Sequence, residues 1–364
     1  MNLSEFSATA RKVIVYTILG VVAYIVLSLL YRFAVNLYLT LNPPDEPPPT
    51  VGFGTLPRLR LPNLEITGDP EFLLETATGE LPSFDDRAEV VAMAPQKTTL
   101  LGEEKARELA QELDFGGSGT LSEDRKTLTF RDAPDQRTLA VNVVTLNFTL
   151  STDISRIASL PKGRALSSTQ AVEEGRAILS RLGLLKFGFD GGNQTSHFYA
   201  VEGGTVVEVG SLSEAHFTEV SFFRSLTEVG SQTRPIRPPD PTVGLIKLWI
   251  TTQQRPDILN TLAISYRAQE VEIDKSRVET YPLENVANAW ERVQSGEGAA
   301  YIELSGEIST VAITRIELAY FDDPIHQDYL QPIYVFSGVV RTQNGGEGEF
   351  VAYAPAVSSE WLSE

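Results

Sequence analysis

The segment from Val13 to Tyr31 reads VIVYTILGVVAYIVLSLLY and carries no charged residue. At about 1.5 Å per residue, roughly 20 apolar residues cross a hydrocarbon core of about 30 Å. The apolar character runs on past Arg32 through Phe33, Val35, Leu37, Leu39 and Leu41. A soluble core helix would keep a polar face, and this segment has none. A cleavable signal peptide would have a shorter apolar stretch followed by a small-x-small site, whereas Tyr31-Arg32-Phe33 follows here. The expectation is an uncleaved signal anchor over residues 13–41. Its lipid-facing residues are Val13, Ile14, Val15, Ile18, Leu19, Val21, Val22, Ile25, Val26, Leu27, Leu29 and Leu30.

Arg11 and Lys12 precede the span, and Asp45 and Glu46 follow it. The positive-inside rule then places residues 1–12 in the cytoplasm and the remainder outside, in a cell membrane crossed once. Arg32 is expected to snorkel to the outer interface beside Tyr31 and Tyr38. The lipid bilayer is thus the first expected partner.

Beyond the span, NPPDEPPP at 42–49 offers few backbone donors and favours extended geometry. Residues 42–55 read as a Pro-rich stalk. The net charge of −18 repels phosphate backbones, which argues against nucleic acid as a partner. The absence of cysteine removes disulfides, thiolate metal sites and cysteine nucleophiles together.

An α+β fold is expected outside the membrane. Apolar residues at helical spacing, each followed by glycine, predict helices near 101–113, 168–182 and 283–294. Ser167 and Gln170 suit a capping box for the second. Alternation at Val144, Leu146, Phe148 and Leu150 predicts a strand over 144–150. Further strands are expected near 127–131, 205–209, 220–223, 245–251, 261–266, 299–304, 311–320, 332–341 and 349–354. Helix-then-strands recurs three times, which reads as a repeated helix-on-antiparallel-sheet unit. The prolines at 235, 238, 239 and 241 suggest a boundary, dividing residues 56–240 from 241–364.

No catalytic, cofactor-binding or metal site is expected. His197, His216 and His326 lie in no zinc-like spacing. The run FDDPIHQD at 321–328 lacks the glycine of a calcium loop and reads as a solvated hairpin turn. Gly117-Ser118-Gly119 lacks the context of a nucleophile elbow. Glu103-Glu104 and Glu173-Glu174 open helices, where they complement the helix dipole. Trp249 and Trp290 are expected in the core, with Trp290 lying centrally across the sheet of Ile316, Leu318 and Tyr320. Trp361 reads as an exposed tail residue.

The last quarter contains YPLENVANAW at 281–290, IELAYFD at 316–322, YLQPIYVFSG at 329–338 and FVAYAPAV at 350–357. This resembles the C-terminal portion of YycH/YycI-type regulatory proteins and the related PepSY-like extracytoplasmic modules. It is also similar to uncharacterised anchored proteins of candidate bacterial phyla. The resemblance implies a non-enzymatic cell-envelope regulatory or binding module acting on an envelope protein partner, with no catalytic residues and no cofactor. A structural surface protein and an anchored hydrolase with an unrecognised motif are the alternatives.

Overall fold

The computed structural model describes residues 3–41, 48–93, 101–134, 136–186, 188–225, 234–252, 261–268 and 273–363. They fall into two compact units, Met1–Pro48 and Pro49–Glu364. The first unit is helix α1 (Leu3–Leu41). Its best membrane-spanning window is Leu19–Tyr38, 20 residues with 0% buried. At about 1.5 Å per residue this window matches a hydrocarbon core. Arg32 lies inside this window.

The second unit opens with β1 (Glu71–Leu74) and β2 (Arg87–Met93). Helix α2 (Gly102–Glu112) leads into β3 (Thr120–Leu121), β4 (Thr127–Asp132), β5 (Arg137–Asn142) and β6 (Phe148–Thr152). The short α3 (Ile154–Ala158) and then α4 (Ser168–Arg181) precede β7 (Gln194–Glu202), β8 (Thr205–Glu208) and β9 (Phe217–Phe222). Next come β10 (Ile236–Arg237), β11 (Ile246–Ile250), β12 (Thr261–Tyr266) and β13 (Ile273–Pro282). Helix α5 (Val286–Gln294) and strands β14 (Ala299–Ile302), β15 (Ile308–Phe321), β16 (Tyr329–Thr342) and β17 (Glu347–Pro355) complete the unit.

The strands build two sheets, so the fold is α+β with predominantly antiparallel pairing. One is 9-stranded, in the order β3-β4-β5-β6-β12-β11-β9-β7-β8. Helices α2 and α4 cover one of its faces, burying Ala106, Ala110, Ile178 and Leu179 with Leu139, Leu150 and Leu248. The other sheet is 8-stranded, with β1-β15-β16-β17-β14 as its main path and β2, β10 and β13 attached. Both β1 and β10 pair parallel with β15. Opposite the β-bulge of β15 between Ile313 and Arg315 lies Gly338, where a Cβ would collide with the Ala312 carbonyl.

The expected boundary at 240/241 cuts across both sheets. Strands β1 and β2 join β15–β17, while β11 and β12 join β3–β9. The prolines instead form a crossover between sheets, because β10 pairs with β15 and β11 with β9. The expected units also differ in build. Helices α2 and α4 share one sheet, and α5 lies against the other at β17.

Local departures have local causes. The expected strand at 144–150 pairs only from Phe148 onward. Asn142 Oδ1 accepts the Val144 and Thr145 amides at 2.9 and 3.0 Å, and Leu146 adopts φ 60°, closing a turn. An Asx side chain bonding the backbone two residues on is a strong turn former. Helix α5 starts at Val286 because Asn285 Oδ1 caps the Ala287 amide at 2.9 Å. Leu283 and Glu284 are meanwhile held by Asp86 and Ala356 carbonyls. The expected stalk lies outside the described residues at 42–47, and its later part is docked. Thr50 and Val51 amides bond Thr280, and Leu56 is fully buried beside Tyr281 and Val357. Those apolar side chains gain more by burial than an extended stalk would leave them.

Trp290 is half-buried, stacked on Phe336 at 5.9 Å and edge-on to Phe72 at 6.1 Å. Ala289 and Val293 hold the centre of the helix face, so Trp290 flanks that core. Ile316 and Leu318 join it there, whereas Tyr320 packs with Val91 and Ile236. Trp361 lies edge-on to Tyr281 at 6.1 Å and is half-buried, not exposed, because its backbone carbonyl binds the Leu56 amide.

Candidate functional site

The anchor residues expected from the sequence all lie on α1. Arg11, Lys12, Val13, Ile14, Val15 and Ile18 lie in its N-terminal half. Leu19, Val21, Val22, Ile25, Val26, Leu27, Leu29 and Leu30 expose their side chains on the helix surface. A helix this apolar and this uncovered fits membrane anchoring or a signal sequence.

In the second unit the densest polar chemistry sits where the two sheets meet. Strand β9 ends at Phe222, and Arg224 follows it into the interior. Its Nε lies 2.7 Å from Asp322 Oδ2, with side-chain exposures of 1% and 2%. The guanidinium also stands 4.7 Å over the Phe189 ring, a favourable cation–π placement. Asp322 follows directly on β15, and its amide bonds the Arg237 carbonyl at 3.0 Å. Burial pushes the Asp322 carboxyl up, against the pull of Arg224, and neighbouring Asp323 adds to the rise.

A second layer surrounds the pair. Arg60 Nε reaches Asp323 Oδ2 at 3.3 Å, and the Arg60 side chain also donates to the His326 carbonyl. Glu317 takes hydrogen bonds from both Arg237 and Arg315. Desolvation raises the Glu317 carboxyl, but the two guanidinium hydrogen bonds outweigh it and the net shift is downward. The proline crossover contributes acceptors. Pro235 O takes the Tyr320 amide at 2.8 Å, and Pro238 O takes the Tyr353 hydroxyl at 3.0 Å.

FDDPIHQD joins β15 to β16 as a hairpin connection with Ile325 and Asp328 exposed, but its first two acidic residues are not solvated. Asp322 and Asp323 are buried because Arg224 and Arg60, distant in sequence, reach them in the fold. Arg60, Arg224 and Arg237 carry no local pattern that marks them, and Glu317 has only Arg315 two positions before it. The acidic pair flanked by Phe321 and Pro324 was the one available signal.

Beside the crossover lies a cleft of about 270 Å³ lined by Pro238, Pro239, Asp240, Lys247, Arg267 and Pro324. Lys247 is paired with Glu219 at 3.4 Å. A hollow of about 470 Å³ near the start of α5 has Asp85, Asp86, Glu284 and Tyr334 on its walls. Among the described residues no group of three or more His, Cys, Asp or Glu is placed to hold a metal.

The histidines are dispersed. His216 is buried, and its Nδ1 accepts the Val201 amide at 3.0 Å. Burial lowers its pKa, and Lys162 adds to the effect. His197 pairs with Glu208 at 2.8 Å on the surface, and His326 lies 3.4 Å from Asp328. Trp249 is half-buried, stacked on Phe217 at 4.5 Å with its indole N–H on Glu219 at 2.6 Å.

No family model matches the chain, and no curated protein matches it. Among solved structures, it is similar to an uncharacterized protein from Eubacterium rectale. The likeness has 10% identity and a TM-score of 0.41, over 78% of this chain and 86% of that one.

Proposed function

We propose that this chain is a non-enzymatic cell-envelope binding or regulatory module. One N-terminal transmembrane helix anchors it, with residues 1–12 in the cytoplasm and the two-sheet unit outside. The observation that carries the reading is the uncovered apolar window of α1, attached to a separate compact unit of two large sheets. The buried Arg224–Asp322 pair joins the two sheets, which suits a rigid surface offered to a protein partner. The crossover cleft is below the usual volume of about 300–1,000 Å³ for small-molecule pockets, and its rim of Asp240, Lys247 and Arg267 suits protein side chains. The resemblance to YycH/YycI-type proteins supports the same role.

Crosslinkers placed on the cleft rim, at Asp240 and Arg267, test it in intact cells expressing the full chain. One defined envelope protein of different sequence is the expected product. Ladders of this chain alone, joined through the rim, would favour a structural surface protein instead.

A further inference from the structure

One wall of the crossover cleft is a row of hydrogen-bond donors. Strand β12 alternates, and its Tyr266 turns to the helix-covered face, where it stacks on Phe148 at 5.6 Å. Ser265 and Arg267 therefore turn to the opposite face. Lys247 stands across from Ser265 in the β11–β12 register, and the Arg267 amide continues the ladder to the Leu245 carbonyl at 2.9 Å. An ammonium, a hydroxyl and a guanidinium thus line the cleft side by side. Facing them are Pro238 and Pro239 of the crossover and Pro324 of the β15–β16 connection. Proline rings are apolar and bring no backbone donor. The Tyr353 hydroxyl fixes Pro238 by donating to its carbonyl at 3.0 Å.

The charges around this row are unevenly matched. Lys247 lies 3.4 Å from Glu219, whose carboxylate also takes the Trp249 indole N–H, so its charge is offset within the sheet. Asp240 Oδ1 accepts the Thr242 amide and hydroxyl at 2.9 and 2.7 Å, which turns that carboxylate into its own loop. Arg267 is exposed, and its guanidinium has no ion pair or hydrogen bond among the described residues. The Ser265 hydroxyl is likewise without a partner among them.

We propose that the cleft binds an acidic side chain of a partner protein segment, its carboxylate held by Arg267 with Ser265 and Lys247 beside it. The inference rests on the reading of this cleft as the partner-facing site. A guanidinium is a planar fork that matches a carboxylate through two parallel hydrogen bonds. A dianionic phosphate fits less well, because Asp240 stands on the rim and Lys247 is already shared with Glu219. The net charge of −18 repels an acidic segment from afar. At physiological ionic strength that repulsion is screened beyond ~8 Å, so the local pair decides at contact.

A peptide library tests this without the identity of the partner. Random hexapeptides on beads, with phosphoserine among the building blocks, are sorted with labelled full-length chain in uncharged detergent micelles. The wild-type chain is expected to enrich Glu or Asp over Gln or Asn by about tenfold at one position, the worth of a charge-assisted hydrogen bond. Arg267→Leu should abolish that preference. Arg267→Glu should turn it to Lys and Arg, an outcome that misfolding cannot produce. Equal recovery of acids and amides, or no retention of any peptide, would overturn the proposal. So would phosphoserine outranking Glu, or an acidic preference that survives Arg267→Glu. If rim crosslinks in cells still capture one envelope protein alongside such a result, the acidic ligand falls and the binding-module reading stands. An acidic preference that follows Arg267 while the rim captures no envelope protein would support the ligand and remove that reading.

Discussion

At the scale of single residues, the seam is held by charges that burial makes consequential. Arg224 and Asp322 are nearly inaccessible to water, so each relies on the other to offset the cost of burying its charge. Arg224→Leu or Asp322→Leu alone should cost about 3–5 kcal/mol, because each strands a buried charge. The double Leu variant should be less unstable than either single one, which denaturant melts of the Pro49–Glu364 unit resolve. A double variant as damaged as the sum of the singles would contradict this. Glu317 makes a pH-dependent claim. Its carboxyl is held below its ordinary value of 4.5, so its contribution is present above the unfolded pKa and lost as pH falls through the folded one. Asp322, shifted upward, has the opposite sign, so the comparison must be made against wild type. Glu317→Gln should flatten the acid limb of stability below about pH 4.5 relative to wild type. Parallel acid limbs would show that the guanidinium hydrogen bonds do not stabilise the charged form. The buried pair was not legible in the sequence, since a salt bridge between residues 98 positions apart leaves no local pattern, whereas Arg315 stands only two positions from Glu317 on one strand.

At the scale of elements, periodicity located what local forces decide. The helices stand within a few residues of their expected places, and β12 coincides with its expected span. The misses are long-range or turn-driven. Strands β1, β2, β3, β5, β7, β10 and β13 were not expected from alternation, and β2 and β13 stabilise one another by pairing across the whole unit. Residues 144–147 alternate like a strand, but Asn142 bonding makes them a turn. Helix α5 tests the packing account. Trp290 contacts Phe72 and Phe336 while remaining half-buried. Trp290→Ala should therefore destabilise by less than the ~3–5 kcal/mol of a fully buried large aromatic, yet lower the melting temperature measurably. An unchanged melt would contradict the helix-on-sheet packing in this region.

At the scale of the whole molecule, the sequence carried the anchor plainly and the internal division poorly. An uncharged aliphatic run needs no tertiary context to be read, whereas sheet membership depends on pairings across more than 200 residues, as between Leu73 and Ala312. The proline crossover was visible as composition, but its role in joining the sheets was not. The central claim is that one helix anchors a unit lying outside the cytoplasm, and protease added to sealed spheroplasts of expressing cells tests it most directly. The account predicts that the two-sheet unit is degraded while a short membrane-bound fragment containing α1 survives. Protection of the whole unit until the membrane is lysed would contradict it.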